Sequence, residues 1–345
     1  MREVLSSFGV PPENVELKTL NQGLINQTIA VLQGGRKNYV LQRINQEVFP
    51  DTRALERNLE RVLPVLHAED YSRLEFLRTR KGDLFYRSPD NQVWRLMRYL
   101  PESQAHHFTS NRKVASEAGR VIGVFHRLVA HLDPADLSVP LDRFHDLSWR
   151  AQQYETALTA ASQKDLARTG SMCDFVEEGL RRLRPFQQAE LPLRVCHNDS
   201  KLNNILFSRD GTAMCMIDLD TLMPGHFAYD FGDAARTVAN PAPEEETDLS
   251  KIQFSIEMFD SFVKGLSLNK QILEEQEIAT LPLSVVYMPF LHGLRAYTDF
   301  LQGNLYYKVA YPDQNLDRAR SLFHFSKLAL ENQKVIRDVI IARLS

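Results

Sequence analysis

Apolar residues in the first hundred positions come in short runs rich in β-formers. In ELKTLNQGLINQTIAVLQGGRKNYVLQRIN, residues 16–45, these runs are broken by Asn21-Gln22-Gly23 and by Gln33-Gly34-Gly35, a pattern that predicts a strand, a loop and then a hairpin of a small antiparallel sheet. Asp51 or Thr52 can then cap a helix to about Leu66, with Leu55, Leu59, Val62, Leu63 and Leu66 at helical spacing. Residues 71–88 and 91–100 read as two or three further strands. From Ser110 the period becomes helical. Val114, Ala118, Val121, Ile122, Phe125 and Val129 form one stripe, and others run through Ile252, Ile256, Phe259 and Val263 and through residues 322–344. The change of pattern puts a boundary near Pro101-Glu102-Ser103, separating a strand-rich part, residues 1–102, from a mainly helical part, residues 103–345.

Composition narrows the partners. A chain of 345 residues, 43% hydrophobic and 25% charged, can bury a substantial core, and its length favours two lobes or domains over one. The net charge of −3 and the lack of a dense Lys/Arg block argue against nucleic acid or an anionic membrane as partner, which leaves small molecules. Residues 283–291, the longest nearly apolar stretch, are interrupted by Ser284 and Pro289 and are too short to span a bilayer. The opening MREVLSSFGVPPEN lacks the apolar core of a signal peptide. Three cysteines, Cys173, Cys196 and Cys215, without metal-type spacing suggest reduced thiols in a cytoplasmic protein and no zinc site. A monomer is expected. Residues 240–250 read as a surface loop whose acidic run is a solvated face or the first turn of the next helix.

One polar knot stands out, CHNDSKLNN at residues 196–204, followed at residues 217–220 by IDLD, whose Asp218 lies fourteen positions beyond Asn204. The apolar runs 205–207 and 214–217 flank Asp210-Gly211, a strong two-residue hairpin turn. Pairing outward from it sets Arg209 opposite Thr212, Phe207 opposite Met214 and Asn203 opposite Asp218, so Asn204 and Asp218 meet at the open end with Asp199 nearby. Gathered carboxylate and amide oxygens suit Mg²⁺, a hard cation. His-Asn-Asp-Ser alone also fits a plain Asx turn. Lys201 and the second acidic pair, Asp218 and Asp220, favour a site, because carboxylates crowded beside an apolar hairpin repel unless a cation compensates.

HNDSKLNN resembles the H-x-D-x-x-x-x-N catalytic loop of the aminoglycoside phosphotransferase and choline kinase superfamily, and IDLD is similar to its metal-binding strand end. Longer blocks, YVLQRINQEVFPD, HNDSKLNNILF, MIDLDTLMPGHFAYDFGDAAR and HGLRAYTDFLQGNLYYK, resemble the N-acetylhexosamine 1-kinases. The resemblance implies an α+β, bilobal protein-kinase-like fold, with a small antiparallel nucleotide-binding lobe before a larger helical catalytic lobe. It implies ATP as phosphoryl donor, Mg²⁺ as cofactor, and transfer to the anomeric C1 hydroxyl of GlcNAc or GalNAc. The alternatives are a kinase of the same fold for another hydroxyl acceptor, such as a different sugar, choline, homoserine or an aminoglycoside, and a catalytically silent binding module.

The resemblance also implies roles. Asn204 and Asp218 hold the metal, with Asp220 a further ligand or a support behind it, and Asp199 orients the acceptor hydroxyl and takes its proton. His197 fixes the loop by hydrogen bonding, Asp230 braces it, and Lys201 lies within reach of the γ-phosphate. For the nucleotide it points to Gly23 and Asn26 in the loop between the first strands, to Met97 and Tyr99 at the hinge, and to Arg43 in place of the phosphate-binding Lys. Tyr39, Leu41 and Arg43 alternate to one strand face, which sets Leu41 against adenine, and Glu56 or Glu60 is the ion-pair partner of Arg43. For the sugar it points to Arg295, Tyr306, Tyr307 and Arg236, and less directly to Asp299. Two positions depart from the pattern: Leu24 stands where many sugar 1-kinases have His, and Thr237 where an aromatic packs on the acetamido group.

Overall fold

A computed structural model describes residues 1–20 and 25–345. A short helix, α1 (Arg2–Ser7), precedes strands β1 (Val15–Leu20), β2 (Gln27–Gln33) and β3 (Arg36–Arg43). Helix α2 (Thr52–Val62) and strands β4 (Phe76–Leu77), β5 (Phe85–Arg87) and β6 (Val93–Arg98) follow. All pair antiparallel in one six-stranded sheet of order β1-β2-β3-β6-β4, with β5 on the first half of β6. Gly34 and Gly35, at φ 57° and 77°, make the tight β2–β3 turn that side-chain-bearing residues adopt with difficulty. Asp51 caps α2 by accepting the N–H groups of Arg53 and Ala54, both at 3.0 Å. That helix ends a turn earlier than the spacing suggests, although Leu66 still reaches the core.

The sheet has two covered faces. Val4, Leu5, Phe8 and Val10, in and just after α1, pack on Ile29, Val31, Leu41, Trp94 and Leu96, which form the outer face. Strand alternation therefore turns Val40, Gln42, Arg95 and Met97 the other way.

The rest is mainly helical: α3 (Arg112–Val129), α4 (Leu147–Ala160), α5 (Gln163–Thr169), α6 (Met172–Gln187), then β7 (Arg194–Cys196), β8 (Ile205–Phe207), β9 (Ala213–Met216) and β10 (Met223–Gly225). Helices α7 (Phe227–Val238), α8 (Ile256–Leu266), α9 (Glu275–Leu301), α10 (Gln314–Glu331) and α11 (Gln333–Leu344) complete it, so the stripe over residues 322–344 is two helices broken at Asn332. α3 and α8 cross at backbone contact: a β-carbon on Gly265 would lie 1.7 Å from the Ser116 carbonyl, and one on Gly119 1.9 Å from that of Phe262. Buried almost all round, α9 packs against α4, α7 and α10. No helix among the described residues is long and apolar enough to cross a membrane.

The β8–β9 hairpin differs from the expected register at its tip. Ile205 and Leu206 pair with Met216 and Cys215, but Phe207 faces Ala213 and not Met214. The turn is longer than Asp210-Gly211 alone, since Ser208 N–H donates to Thr212 O and Gly211 N–H to Ser208 O, both at 2.9 Å.

Candidate active site

The loop after β7 is held from below by α7. Asp230, fully buried, accepts the backbone N–H groups of His197 (2.8 Å) and Asn198 (2.7 Å) and lies 2.9 Å from His126 Nε2. Burial alone would raise its pKa, but His126, His197 and these N–H donors outweigh it and hold the carboxyl below its usual value. Thr237, two turns further along α7, accepts the Leu202 N–H at 2.9 Å, and Ser200 Oγ donates to Asp230 O at 2.6 Å. His126, Cys196 and Asp230 come within 4.8 Å of one another, but with the Asp230 oxygens filled by donors they form a hydrogen-bonded core and not a metal site.

Asn198 takes the left-handed conformation (φ 60°) that Asn tolerates, and its amide bonds the Thr221 and Met223 carbonyls at 3.1 and 3.2 Å. His197 Nε2 donates to Ile217 O at 2.8 Å, leaving Nδ1 to accept the Asp199 N–H at 3.3 Å. His145, which the sequence did not single out, donates Nε2–H to Asn198 O at 3.0 Å; burial pushes its pKa down to about 3, so it stays neutral.

This scaffold aims Asp199. Its Oδ2 accepts Lys201 Nζ at 2.9 Å and Asn204 Nδ2 at 2.7 Å, while among the described residues Oδ1 has no partner. Burial by itself would lower the Lys201 pKa, yet Asp199 and Glu244 raise it above its usual value and keep the ammonium charged. Asn204 spends its amide nitrogen on Asp199, through Oδ2 and through the backbone oxygen at 2.8 Å, and among the described residues its Oδ1 has no partner. Ile217 N–H donates to Asn204 O at 2.8 Å and brings Asp218, itself left-handed at φ 60°, beside it.

The Asp218 carboxylate has no hydrogen-bond or salt-bridge partner among the described residues. Water reaches it, but the cleft walls desolvate it and Asp220 and Asp199 repel it, which pushes its pKa up to about 6. Two partnerless hard oxygens at a crowded anionic point fit a divalent cation such as Mg²⁺.

Asp220 does not belong to that set. Arg95 grips it through both guanidinium nitrogens and Asn26 Nδ2 donates to Oδ2 at 2.6 Å, so its charge is already matched and the residue braces the sheet behind Asp218. Asn26 is likewise occupied, its Oδ1 accepting the Asn45 N–H at 2.9 Å, and it ties the start of β2 to Asp220 rather than facing a nucleotide freely.

The nucleotide-side expectations need further correction. Arg43 shares the outer face with Leu41, which packs under α1, so neither lines the cleft; Gln42 does, and it accepts Arg95 Nε–H at 2.8 Å. Val40 takes the inward place foreseen for Leu41. Glu56 accepts the Phe85 N–H at 2.9 Å and pairs with Arg87 at 3.0 Å, and Glu60 pairs with Arg78 at 2.8 Å, so neither meets Arg43. Met97 points inward but lies within the ladder between Val40 and Phe76, and the Tyr99 N–H is spent on Asn38 O at 2.9 Å. Among the described residues, the Leu100 N–H is the first backbone donor past β6 without a backbone partner. Gly23 and Leu24 lie outside the described residues.

Where the sugar is expected, His292, Arg295 and Asp299 share one face of α9 by their spacing of three and four. The Arg295 guanidinium lies over Phe144 (4.7 Å), Tyr306 (5.8 Å) and Tyr307 (5.9 Å), and no carboxylate among the described residues is within salt-bridge distance. Asp299, 3% exposed, accepts the backbone N–H groups of Tyr306 (2.7 Å) and Tyr307 (3.0 Å) and the Asn315 amide (2.8 Å), which anchors the loop carrying both rings. Arg236 reaches the cleft wall but is buried between Asp233 (2.7 Å) and Glu244, so its charge is already matched. Glu244 and Glu245 turn inward to Arg236 and Arg318, contrary to the solvated acidic loop expected there. Asp199, Asp218, Arg295, Tyr306 and Tyr307 all line one cavity of about 110 Å³. Phe144, His292 and Arg318 line it too and were not foreseen; for His292 the available signals were its place at the head of HGLRAYTDF and its helical spacing to Arg295 and Asp299.

A family model described as "Phosphotransferase enzyme family" matches residues 16–254. The chain also shares its fold with solved structures of low identity. A microcompartment-associated aminopropanol kinase is 16% identical, with 97% of each chain covered and a TM-score of 0.65. A spectinomycin phosphotransferase in complex with ADP and spectinomycin is 10% identical over 99% of this chain and 96% of that one, with a TM-score of 0.62. A choline/ethanolamine kinase family protein from Mesorhizobium loti is 16% identical over 96% and 93%, with a TM-score of 0.60.

Proposed function

This chain belongs to the phosphotransferase enzyme family, and from that premise we propose that it transfers the γ-phosphoryl group of ATP to the anomeric C1 hydroxyl of an N-acetylhexosamine. In this reading residues 1–102 carry the nucleotide and residues 103–345 the catalytic loop and acceptor. The observation that carries the acceptor class is the Arg295 guanidinium, without an ion-pair partner among the described residues and boxed by Phe144, Tyr306 and Tyr307, in the same cleft as Asp199. The Arg295 charge repels a quaternary ammonium such as choline, and it already occupies the ring faces that would cage one. Glu244 and Glu245, matched by Arg236 and Arg318, offer little to a polycationic aminoglycoside. A polyol fits, because the guanidinium edge forks onto hydroxyls while the rings pack on the sugar face.

The geometry supports a direct displacement. Lys201 and Asn204 hold Asp199 Oδ2, which leaves Oδ1 to take the acceptor proton as the hydroxyl oxygen bonds to phosphorus and ADP departs. A divalent cation held by Asn204 Oδ1 and the Asp218 carboxylate would supply charge neutralisation for the phosphates. Leu100 N–H is the backbone donor for adenine, with Val40 and Met97 beneath the ring. Thr237 gives the acetamido group no aromatic cover, since it is engaged with the Leu202 N–H.

A second reading has one observation in its favour. An unpaired arginine also suits a carboxylate, as in a hydroxy amino acid such as homoserine. ADP release with ATP, Mg²⁺ and a panel of GlcNAc, GalNAc, glucose, galactose, homoserine, choline and an aminoglycoside separates the two. NMR of the product then locates the phosphate: phosphorus coupling to the anomeric proton supports C1 transfer, and coupling to the C6 protons, or turnover of homoserine alone, overturns it.

A further inference from the structure

We propose that the acceptor cleft continues into a second subsite that takes a neutral, hydroxyl-rich, ring-sized group, a further sugar unit joined to the one that is phosphorylated; this rests on the sugar reading above. Beyond the Arg236–Glu244 pair lies a cavity of about 260 Å³ that shares Lys201, Arg236, Glu244 and Leu322 with the acceptor cleft. Lys201 Nζ is 2.9 Å from Asp199 Oδ2, so the cavity begins one side chain from the reacting hydroxyl. Its volume falls just below that of ordinary ligand pockets, about 300–1,000 Å³, and suits one ring and not a whole ligand.

Its lining selects the chemistry. Asn240 and Ser321 face this cavity and are 6% and 1% exposed, yet among the described residues neither the Asn240 amide nitrogen nor the Ser321 hydroxyl has a hydrogen-bond partner. Asn240 Oδ1 is used separately, by the Ala242 N–H at 3.2 Å. Both groups sit on residues that are nearly buried and open only onto the cavity, so one cavity wall offers a donor and a hydroxyl to a hydrogen-bonding occupant. Leu322 and Phe325 add an apolar flank of the kind that packs on a sugar ring. Lys201 and Arg236 are balanced by Glu244 and Glu245, which favours an uncharged polyol over a polyanion or a polycation.

The test compares a reducing disaccharide with its reducing-end monosaccharide in the wild type and in Ser321→Leu, which fills the cavity. Asn240→Asp is the second variant; it keeps the oxygen that Ala242 uses and removes the amide donor. Both variants should lower kcat/KM for the disaccharide by about tenfold and leave the monosaccharide within about twofold. Equal losses on both sugars, or no loss in either variant, overturn the subsite. If neither sugar is phosphorylated, the sugar reading itself fails, and saturation-transfer NMR with the disaccharide still decides the cavity. Transfer to the non-reducing ring that disappears in Ser321→Leu supports the subsite; absent or unchanged transfer removes it.

Discussion

Arg95 on β6 meets Asp220, beyond β9, as a two-point ion pair, with one contact at 3.0 Å and both side chains almost fully buried. It joins the sheet to the segment that carries Asp218. Arg95→Met strands a charge in a dry site and should cost about 3–5 kcal/mol in urea unfolding. A loss under about 1 kcal/mol, the range of exposed pairs, would mean that the pair is no brace.

Asp199→Asn keeps the hydrogen-bonded frame but removes the carboxylate that the proposed mechanism uses as proton acceptor. Turnover should fall about 10²–10⁴-fold while ATP affinity stays nearly constant, because in the proposed reading Oδ1 meets the acceptor and not the nucleotide. Steady-state kinetics beside nucleotide titration checks this, and near-normal turnover would displace Asp199 from its role.

Asp218 makes stability depend on pH in a defined direction. Its folded pKa, about 6, lies above the ordinary value of 3.8, so the fold binds its proton more tightly than the unfolded chain does. The stabilising contribution is therefore full below about 4 and is lost as pH rises through about 6. Without divalent cation, Asp218→Asn should melt above the wild type at neutral pH, and the gap should close toward pH 4. Mg²⁺ should narrow the gap at neutral pH by stabilising only the wild type. A gap that is constant with pH would refute the crowding of Asp218.

Asp299→Asn exchanges one acceptor oxygen for a donor opposite the N–H groups of Tyr306 and Tyr307 or the Asn315 amide. The loop should loosen and the acceptor KM rise about tenfold, with the KM for ATP unchanged, because binding at the ring face orients the reacting hydroxyl. A rise in both KM values would instead indicate general unfolding.

The sequence by itself determined what depends on neighbours along the chain. The alternation before residue 100 and the 3.6 period after 110 already specify an antiparallel sheet followed by a helical body, as found in the fold. The encounter of Asp199, Asn204 and Asp218 was legible for the same reason: one hairpin joins them, and a longer tip turn left the pairing near Ile205 intact. Tertiary structure decided the rest. Period two separates the faces of β3 but does not say which is inward; α1 covers Leu41, so Gln42 and not Arg43 faces the cleft. Asp218 and Asp220 look equivalent in IDLD, yet Arg95, 125 positions away, claims one and leaves the other open. The acidic run after Asn240 reads as solvated until Arg236 and Arg318 draw Glu244 and Glu245 inward. In each case the deciding partner is distant in sequence, and charge or burial imposed by a distant element leaves no periodic trace in the segment it acts on.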